Sequence, residues 1–175
     1  MLLEIPGGML RPWRGDDAAS LARHANNRRV WANLRDRFPS PYTLDDADAW
    51  LRHCARIVPV TDVAIDIEGE AVGGLGIVLQ SDVERVDAEI GYWLGEAYWG
   101  RGLMSAAVGA FVPWVFTRFN LARIHAHVFA FNGASARGLE KAGFELEGRL
   151  RQSAYKNGQL IDQLLYARVR SDWKP

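Results

Sequence analysis

From Tyr98 to Ser105 the chain reads "YWGRGLMS", with Gly100 and Gly102 flanking Arg101 between a bulky apolar run and a run of small apolar residues. A strand that ends at such a junction, with a helix opening straight after it, aims the unpaired N–H groups of the first helical turn at one point. That point attracts an anion, because the helix dipole reinforces the N–H groups and glycine has no Cβ to hold a ligand away from the backbone. Ser105, Ala106 and Ala107 keep the first turn slim, so a diphosphate suits the chemistry on offer. Taken alone, the same Gly-x-Gly serves equally as a tight turn with close strand–helix packing. Two other phosphate-binding patterns are excluded. A P-loop demands Gly-Lys-Ser/Thr at the helix start, and a dinucleotide fingerprint demands a third glycine in register with an acidic residue about 20 positions on.

Three further groups have chemical potential. Asn132 and Ser135 have the spacing of a helix N-cap and its first-turn partner. His125 and His127 alternate on one face of a strand, as metal ligands do. No third ligand stands nearby in sequence, so no metal is expected. Cys54 is the one cysteine. It allows no internal disulfide and sits in no activating pattern, so it is read as a non-nucleophilic thiol of an intracellular chain.

The elements that must position these groups follow from the hydrophobic period. A short strand is expected over 9–13 and a helix over 15–26 with Asp16 or Asp17 as N-cap. A helical piece is expected in "RVWANLRDRF", and a better-marked helix follows Thr43, whose spacing to Asp46 forms a weak capping box. From Pro59 the period changes to that of strands. "VTDVAIDI" and "AVGGLGIVL" form a hairpin across "EGE", and "VDAEIGYWL" is the strand leading to the glycines. A helix over roughly 103–118, the strand "ARIHAHVFA", a helix from about 133 to 142 and two long final strands complete the order. Pro113 predicts a kink near 109–113 rather than a helix end, since "WVFTRF" continues apolar. Helices first, then a meander, then alternating strands and helices define one α+β domain.

Composition narrows the class. The chain has 175 residues, 49% apolar and 24% charged, which suits one globular domain with a core and excludes disorder. Lys plus Arg and Asp plus Glu balance at 21 each, so neither nucleic acid nor an anionic membrane is the expected partner. The first residues lack the pattern of a signal peptide, and no apolar run approaches the roughly 18 residues of a membrane span. A cytoplasmic location is expected.

"AEIGYWLGEAYWGRGLMSAAV" (88–108) and "FNGASARGLEKAGFELEGRLR" (131–151) together resemble the GNAT superfamily of N-acetyltransferases, and within it the RimJ/RimL-like branch. The resemblance runs over roughly residues 86–170. It implies a single domain over 1–175, built on a mixed, mostly antiparallel sheet of about six to seven strands flanked by helices. It also implies splayed strands at a cofactor cleft and acetyl-CoA as acetyl donor. The superfamily's Gln/Arg-x-x-Gly-x-Gly/Ala loop corresponds to Trp99, Gly100, Arg101, Gly102, Leu103 and Met104. Gly102 matches, whereas Trp99 and Met104 depart from the pattern. The resemblance places the pantetheine arm against the backbone of Tyr92 and Leu94, and gives Asn132 and Ser135 contacts to the pantetheine amide and the region of the thiol.

Direct attack of an amine on a thioester asks mainly for positioning, a base and a place for the thiolate's charge. Many members protonate the thiolate with a Tyr where this chain has Leu139, so Ser135 is the candidate partner. Glu89 is the candidate base, by the place of a carboxylate in several relatives; a solvent-facing or salt-bridged Glu is the alternative. The carboxylate that RimL-like members carry before Tyr155 is Ala154 here. The implied acceptor is a protein N-terminus or a small amine, with Trp31 and Tyr155 bordering it and Asp162 nearby. Trp50 and Trp93 either share that border or belong to the core. A homodimer is open to such a chain, and a non-catalytic acyl-CoA-binding module is the alternative to an enzyme.

Overall fold

A computed structural model describes residues 1–174. β1 (Leu3–Ile5) and β2 (Gly8–Pro12) form an antiparallel hairpin, and β2 pairs in turn with β3 (Asp62–Ile67). β2 is the expected first strand. β1 was not foreseen, because three residues are too few to show an alternation. With it the sheet has eight strands rather than six to seven.

A 3-10 turn, Gly15–Asp17, leads into α1 (Ala18–Ala25). Asp17 stands at the N-cap position, yet its side chain does not cap the helix. Its carboxylate instead accepts from Arg11 Nη1 and Nη2 at 2.8 and 2.7 Å and from the Arg14 N–H at 2.7 Å. Arg11 Nε also donates to Asp66 Oδ2 at 2.6 Å. Arg11, Asp17 and Asp66 are 1%, 4% and 5% exposed, so the guanidinium is buried between two carboxylates. The Asp17 hydrogen bonds, helped by Asp66, hold its pKa above the ordinary value against the opposing effect of burial.

α2 (Arg28–Trp31) is shorter than the expected helical piece and is capped by Asn27, whose side chain accepts from the Arg29 and Val30 N–H groups. α3 (Leu44–Cys54) opens on the expected capping box. The Asp46 N–H donates to Thr43 Oγ1 at 3.2 Å, and the Thr43 N–H donates to Asp46 Oδ2 at 2.8 Å. Leu21, Ala25, Tyr42, Ala47 and Leu51 form a buried cluster, with Phe38, Trp50 and Trp93 packed against it. Each leucine so buried contributes roughly 2 kcal/mol. Trp50 and Trp93 are therefore core residues.

β3 and β4 (Glu70–Leu79) meet across Glu68 and Gly69, both at positive φ, the conformation of a two-residue hairpin turn. β5 (Asp87–Leu94) leads through a 3-10 turn at Glu96–Tyr98 and the glycines into α4 (Leu103–Phe119). α4 continues through Pro113, as expected, and Thr117 Oγ1 donates to the Pro113 carbonyl at 3.0 Å. β6 (Arg123–Phe129), α5 (Gly133–Lys141), β7 (Glu145–Lys156) and β8 (Gln159–Val169) follow. β7 and β8 turn at Asn157 and Gly158, again at positive φ.

The strand order is β1-β2-β3-β4-β5-β6-β8-β7. β5 and β6 run parallel, while β1–β2, β2–β3, β3–β4, β6–β8 and β7–β8 are antiparallel. The chain divides into two compact units. The first comprises residues 1–76 and 92–107 and holds β1–β3, most of β4, α1–α3 and the glycine junction. The second comprises 77–91 and the chain from Val108 on, where Phe111, Leu121, Ile124 and Leu139 are each at most 1% exposed.

Candidate functional site

The glycine junction belongs to the first unit. Gly100 and Gly102 sit at φ +75° and +77°, which an L side chain rarely adopts, so glycine is required at both by the backbone itself. Apart from the chain neighbours of each glycine, no atom of the described residues lies within 4 Å of where a Cβ would stand on either residue. The glycines are therefore not there to admit a neighbouring segment of protein, and the backbone can be approached closely. The Ala106 N–H donates to the Gly102 carbonyl at 3.0 Å, so helical hydrogen bonding begins at that carbonyl. Leu103, Met104 and Ser105 occupy the first turn of α4, where N–H groups have no intrahelical acceptor. This geometry fits a diphosphate, held by main-chain donors at the positive end of a 17-residue helix.

The approach to the glycines is fixed from the helical side. Trp99 Nε1 donates to the Leu94 carbonyl at 2.8 Å, and the Arg29 guanidinium lies 5.6 Å over the Trp99 ring. Asn27 Nδ2 donates to Glu96 Oε2 at 2.7 Å, and Arg29 also pairs with Glu96. The cap of α2 thus grips the turn between β5 and the glycines. Trp99 stays 37% exposed, and the Arg101 guanidinium lies 5.4 Å over the Tyr98 ring. Leu94 is buried with its carbonyl engaged by Trp99, whereas Tyr92 is half-buried. Trp31 is also half-buried, with the Arg28 guanidinium 4.0 Å over its ring.

The remaining candidates lie in the second unit. Asn132 caps α5, its Oδ1 accepting from the Ser135 N–H at 3.1 Å, which places half-buried Ser135 in the first turn. Leu139 is fully buried, and its hydrocarbon side chain offers no proton donor. Glu89 lies on β5 directly opposite His125 on β6. His127 Nδ1 is 3.1 Å from Glu89 Oε1, and His125 Nδ1 is 3.0 Å from Asp87 Oδ1. Asp87 is also paired with Arg123, which reaches Glu147. Glu89 is thus neither solvent-facing nor alone.

Tyr155 stands 67% exposed on the β7–β8 hairpin. Asp162 accepts from the Gln152 N–H at 2.8 Å and from Arg149 Nε at 2.6 Å, contacts that hold its carboxyl below the ordinary pKa. Both clamp the irregular stretch of β7 between Leu150 and Ala154. Cys54 has its thiol pushed up to about 12, chiefly by burial, which agrees with a thiol that is no nucleophile.

The structure therefore brings Tyr92, Leu94 and Trp99 to Met104 together along one junction, and Glu89 together with two histidines. The Glu89–His127 contact spans 38 positions of sequence and depends on strand pairing. The only local signal for it was the alternation of His125 and His127.

A family model described as an acetyltransferase (GNAT) domain matches residues 9–145. The chain belongs to this family. It is 39% identical over 101 residues to an uncharacterised N-acetyltransferase, YoaA, of Bacillus subtilis, covering 58% of this chain and 56% of that protein. It is 33% identical over 97 residues to the ribosomal-protein-serine acetyltransferase of Escherichia coli, covering 54% of each. The fold matches that of Mycobacterium smegmatis RimJ, solved in complex with CoA-disulfide, with a TM-score of 0.85 and 26% identity over 100% of this chain and 88% of that one. The chain spans only about half to three-fifths of the first curated relatives it matches.

Proposed function

We propose that this chain is an N-acetyltransferase that moves the acetyl group of acetyl-CoA to a primary amine by direct attack. The observation that carries the reading is the pair of positive-φ glycines opening α4, whose missing Cβ positions have no atom of the described residues within 4 Å apart from their chain neighbours. In a member of the GNAT family such a junction suits the CoA diphosphate, which RimJ of M. smegmatis, bound to CoA-disulfide, makes the natural first ligand to test. Acetyl-CoA supplies an activated acyl carbon and a leaving thiolate.

The residues divide the work as follows. Trp99, Gly100, Arg101, Gly102, Leu103 and Met104 surround the diphosphate, with the amides of the first α4 turn as donors and Arg101 as a nearby positive charge. Tyr92 and Leu94 offer backbone to the pantetheine arm. The Leu94 carbonyl shares its lone pairs with the Trp99 indole, so Tyr92 carries more of this role. Asn132 orients the first turn of α5, and Ser135 there stabilises the departing thiolate through its hydroxyl, since Leu139 has no donor.

Glu89 accepts the proton that the amine must lose, with His127 Nδ1 at 3.1 Å holding the carboxylate in place. The amine nitrogen forms the new bond to the acyl carbon, the carbon–sulfur bond breaks, and the proton ends on Glu89. No covalent enzyme intermediate is needed, and Cys54 is unsuited to form one. The acceptor is a protein N-terminus, as the name of the E. coli relative suggests, or a small amine, with Trp31 and Tyr155 at its border. Two copies of the chain could pair without changing this chemistry.

Leu139 also favours a second reading, a module that binds acyl-CoA without turnover. Thiol release from acetyl-CoA separates the two. An enzyme is stimulated by some member of a panel of peptides with free N-termini and small amines, whereas a binder is indifferent to all of them. Glu89→Gln lowers turnover and flattens its pH profile; an unchanged profile removes Glu89 from the base role.

A further inference from the structure

We propose that Glu89, His125 and His127 form a binding site for a divalent transition-metal ion, zinc above all. The sequence offers the two histidines without a third ligand, and the parallel pairing of β5 with β6 provides one. Glu89 faces His125 in register, and His127, two residues along β6, points to the same side of the sheet. One ligand atom from each residue lies within 4.8 Å of the other two. The His127 Nδ1 to Glu89 Oε1 separation is 3.1 Å. Before an ion binds, this contact is a hydrogen bond from Nδ1–H to the carboxylate; two ligands of a tetrahedral zinc, each about 2.0–2.1 Å from the ion, stand about 3.3 Å apart, so an ion that displaces the Nδ1 proton meets both atoms at nearly that spacing.

A second observation points the same way. His125 Nδ1 lies 3.0 Å from Asp87 Oδ1. A carboxylate only accepts, so Nδ1 carries the proton and the lone pair is on Nε2, the tautomer that binds a metal. A carboxylate behind a ligating imidazole is the usual outer support of zinc sites, and Asp87 is itself anchored by Arg123. The His125 and His127 rings meet edge-on, 5.4 Å apart and 88° between planes, so their nitrogens are not stacked face to face. The Glu89, His125 and His127 side chains are 19%, 12% and 24% exposed. An ion can enter, and water can fill its remaining position. Two imidazoles and one carboxylate select zinc, cobalt or nickel over magnesium and calcium, which prefer all-oxygen sets.

The test uses the folded chain without acetyl-CoA, so it stands or falls separately from acetyl transfer. Cobalt(II) serves as the visible probe and zinc as competitor, with equilibrium dialysis for stoichiometry. Expected are one cobalt per chain, absorption bands of a low-symmetry site, and their loss on adding one equivalent of zinc. His127→Ala and Glu89→Ala, each checked by circular dichroism, weaken uptake by about 100-fold or more. Asp87→Asn keeps all three ligands and weakens uptake by about 10- to 100-fold, which decides the matter if an alanine variant fails to fold. Folded wild-type chain that takes up neither ion at millimolar concentration overturns the proposal. So does wild-type affinity in the folded variants, which would put the ion elsewhere, for example at His24 with Glu70.

Discussion

Replacing Gly102 with alanine separates a strained turn from a ligand cradle. At φ +77° a Cβ costs about 1–2 kcal/mol, and with no atom of the described residues beyond its chain neighbours within 4 Å, no other segment adds a clash. For a chain of this length that lowers Tm by about 2–8 °C, from a slope of about 2–4 °C per kcal/mol. Gly158 is the matched control. It sits at φ +80° in the β7–β8 turn, also with nothing within 4 Å. Gly158→Ala therefore carries the same backbone cost far along the chain from the junction. If the diphosphate lies against residues 99–104, the new methyl group in Gly102→Ala occupies the space of the ligand, and CoA affinity falls at least about tenfold, or about 1.4 kcal/mol. Calorimetric titration with CoA at a temperature where both variants are folded reads this directly. Equal stability loss with affinity loss in Gly102→Ala alone is the expected result. Unchanged affinity in Gly102→Ala, or equal affinity loss in both variants, refutes the placement of the ligand.

Other consequences follow from the same structure. Arg11→Met leaves Asp17 and Asp66 as buried carboxylates without their cation and costs about 3–5 kcal/mol in urea unfolding; a loss under about 1 kcal/mol contradicts a buried triad. Because burial raises the Cys54 pKa to about 12 in the fold, the thiol contributes stability that is complete below its unfolded value near 8.5 and is lost as pH rises toward 12. Alkylation of Cys54 in the native protein at pH 8 is accordingly slow, with a thiolate fraction on the order of 10⁻⁴, and modification as fast as in urea would show the thiol to be accessible and unshifted. Zinc bound at Glu89 withholds that carboxylate from the amine's proton, so zinc slows acetyl transfer and a chelator restores it. A rate indifferent to saturating zinc contradicts one of the two roles given to Glu89.

Local signals were legible wherever a few adjacent residues settle the backbone. Thr43 with Asp46, Asn157 with Gly158 and the glycines at 100 and 102 each behave as their types dictate, because capping and positive φ are short-range effects. Asp17 shows the limit: its carboxylate suits a helix cap, but buried Arg11 takes its oxygens, and Arg11's other partner, Asp66, lies 55 residues away. β1 gains its identity from pairing with β2 rather than from its own three residues. The histidines needed a carboxylate that the β5–β6 register delivers, so local spacing showed the two histidines alone. The Asn132–Ser135 spacing was readable in the sequence as a helix cap, and the neighbours of Trp31 and Tyr155 are local too, Arg28 over the Trp31 ring and Leu160 opposite Tyr155 in the hairpin.

The most direct measurement is calorimetric titration of the folded wild-type chain with acetyl-CoA. Saturable binding of one molecule per chain, weakened when CoA lacking its diphosphate replaces the intact compound, is the predicted result. A chain shown to be folded that releases no heat and takes up no acetyl-CoA by equilibrium dialysis would contradict it.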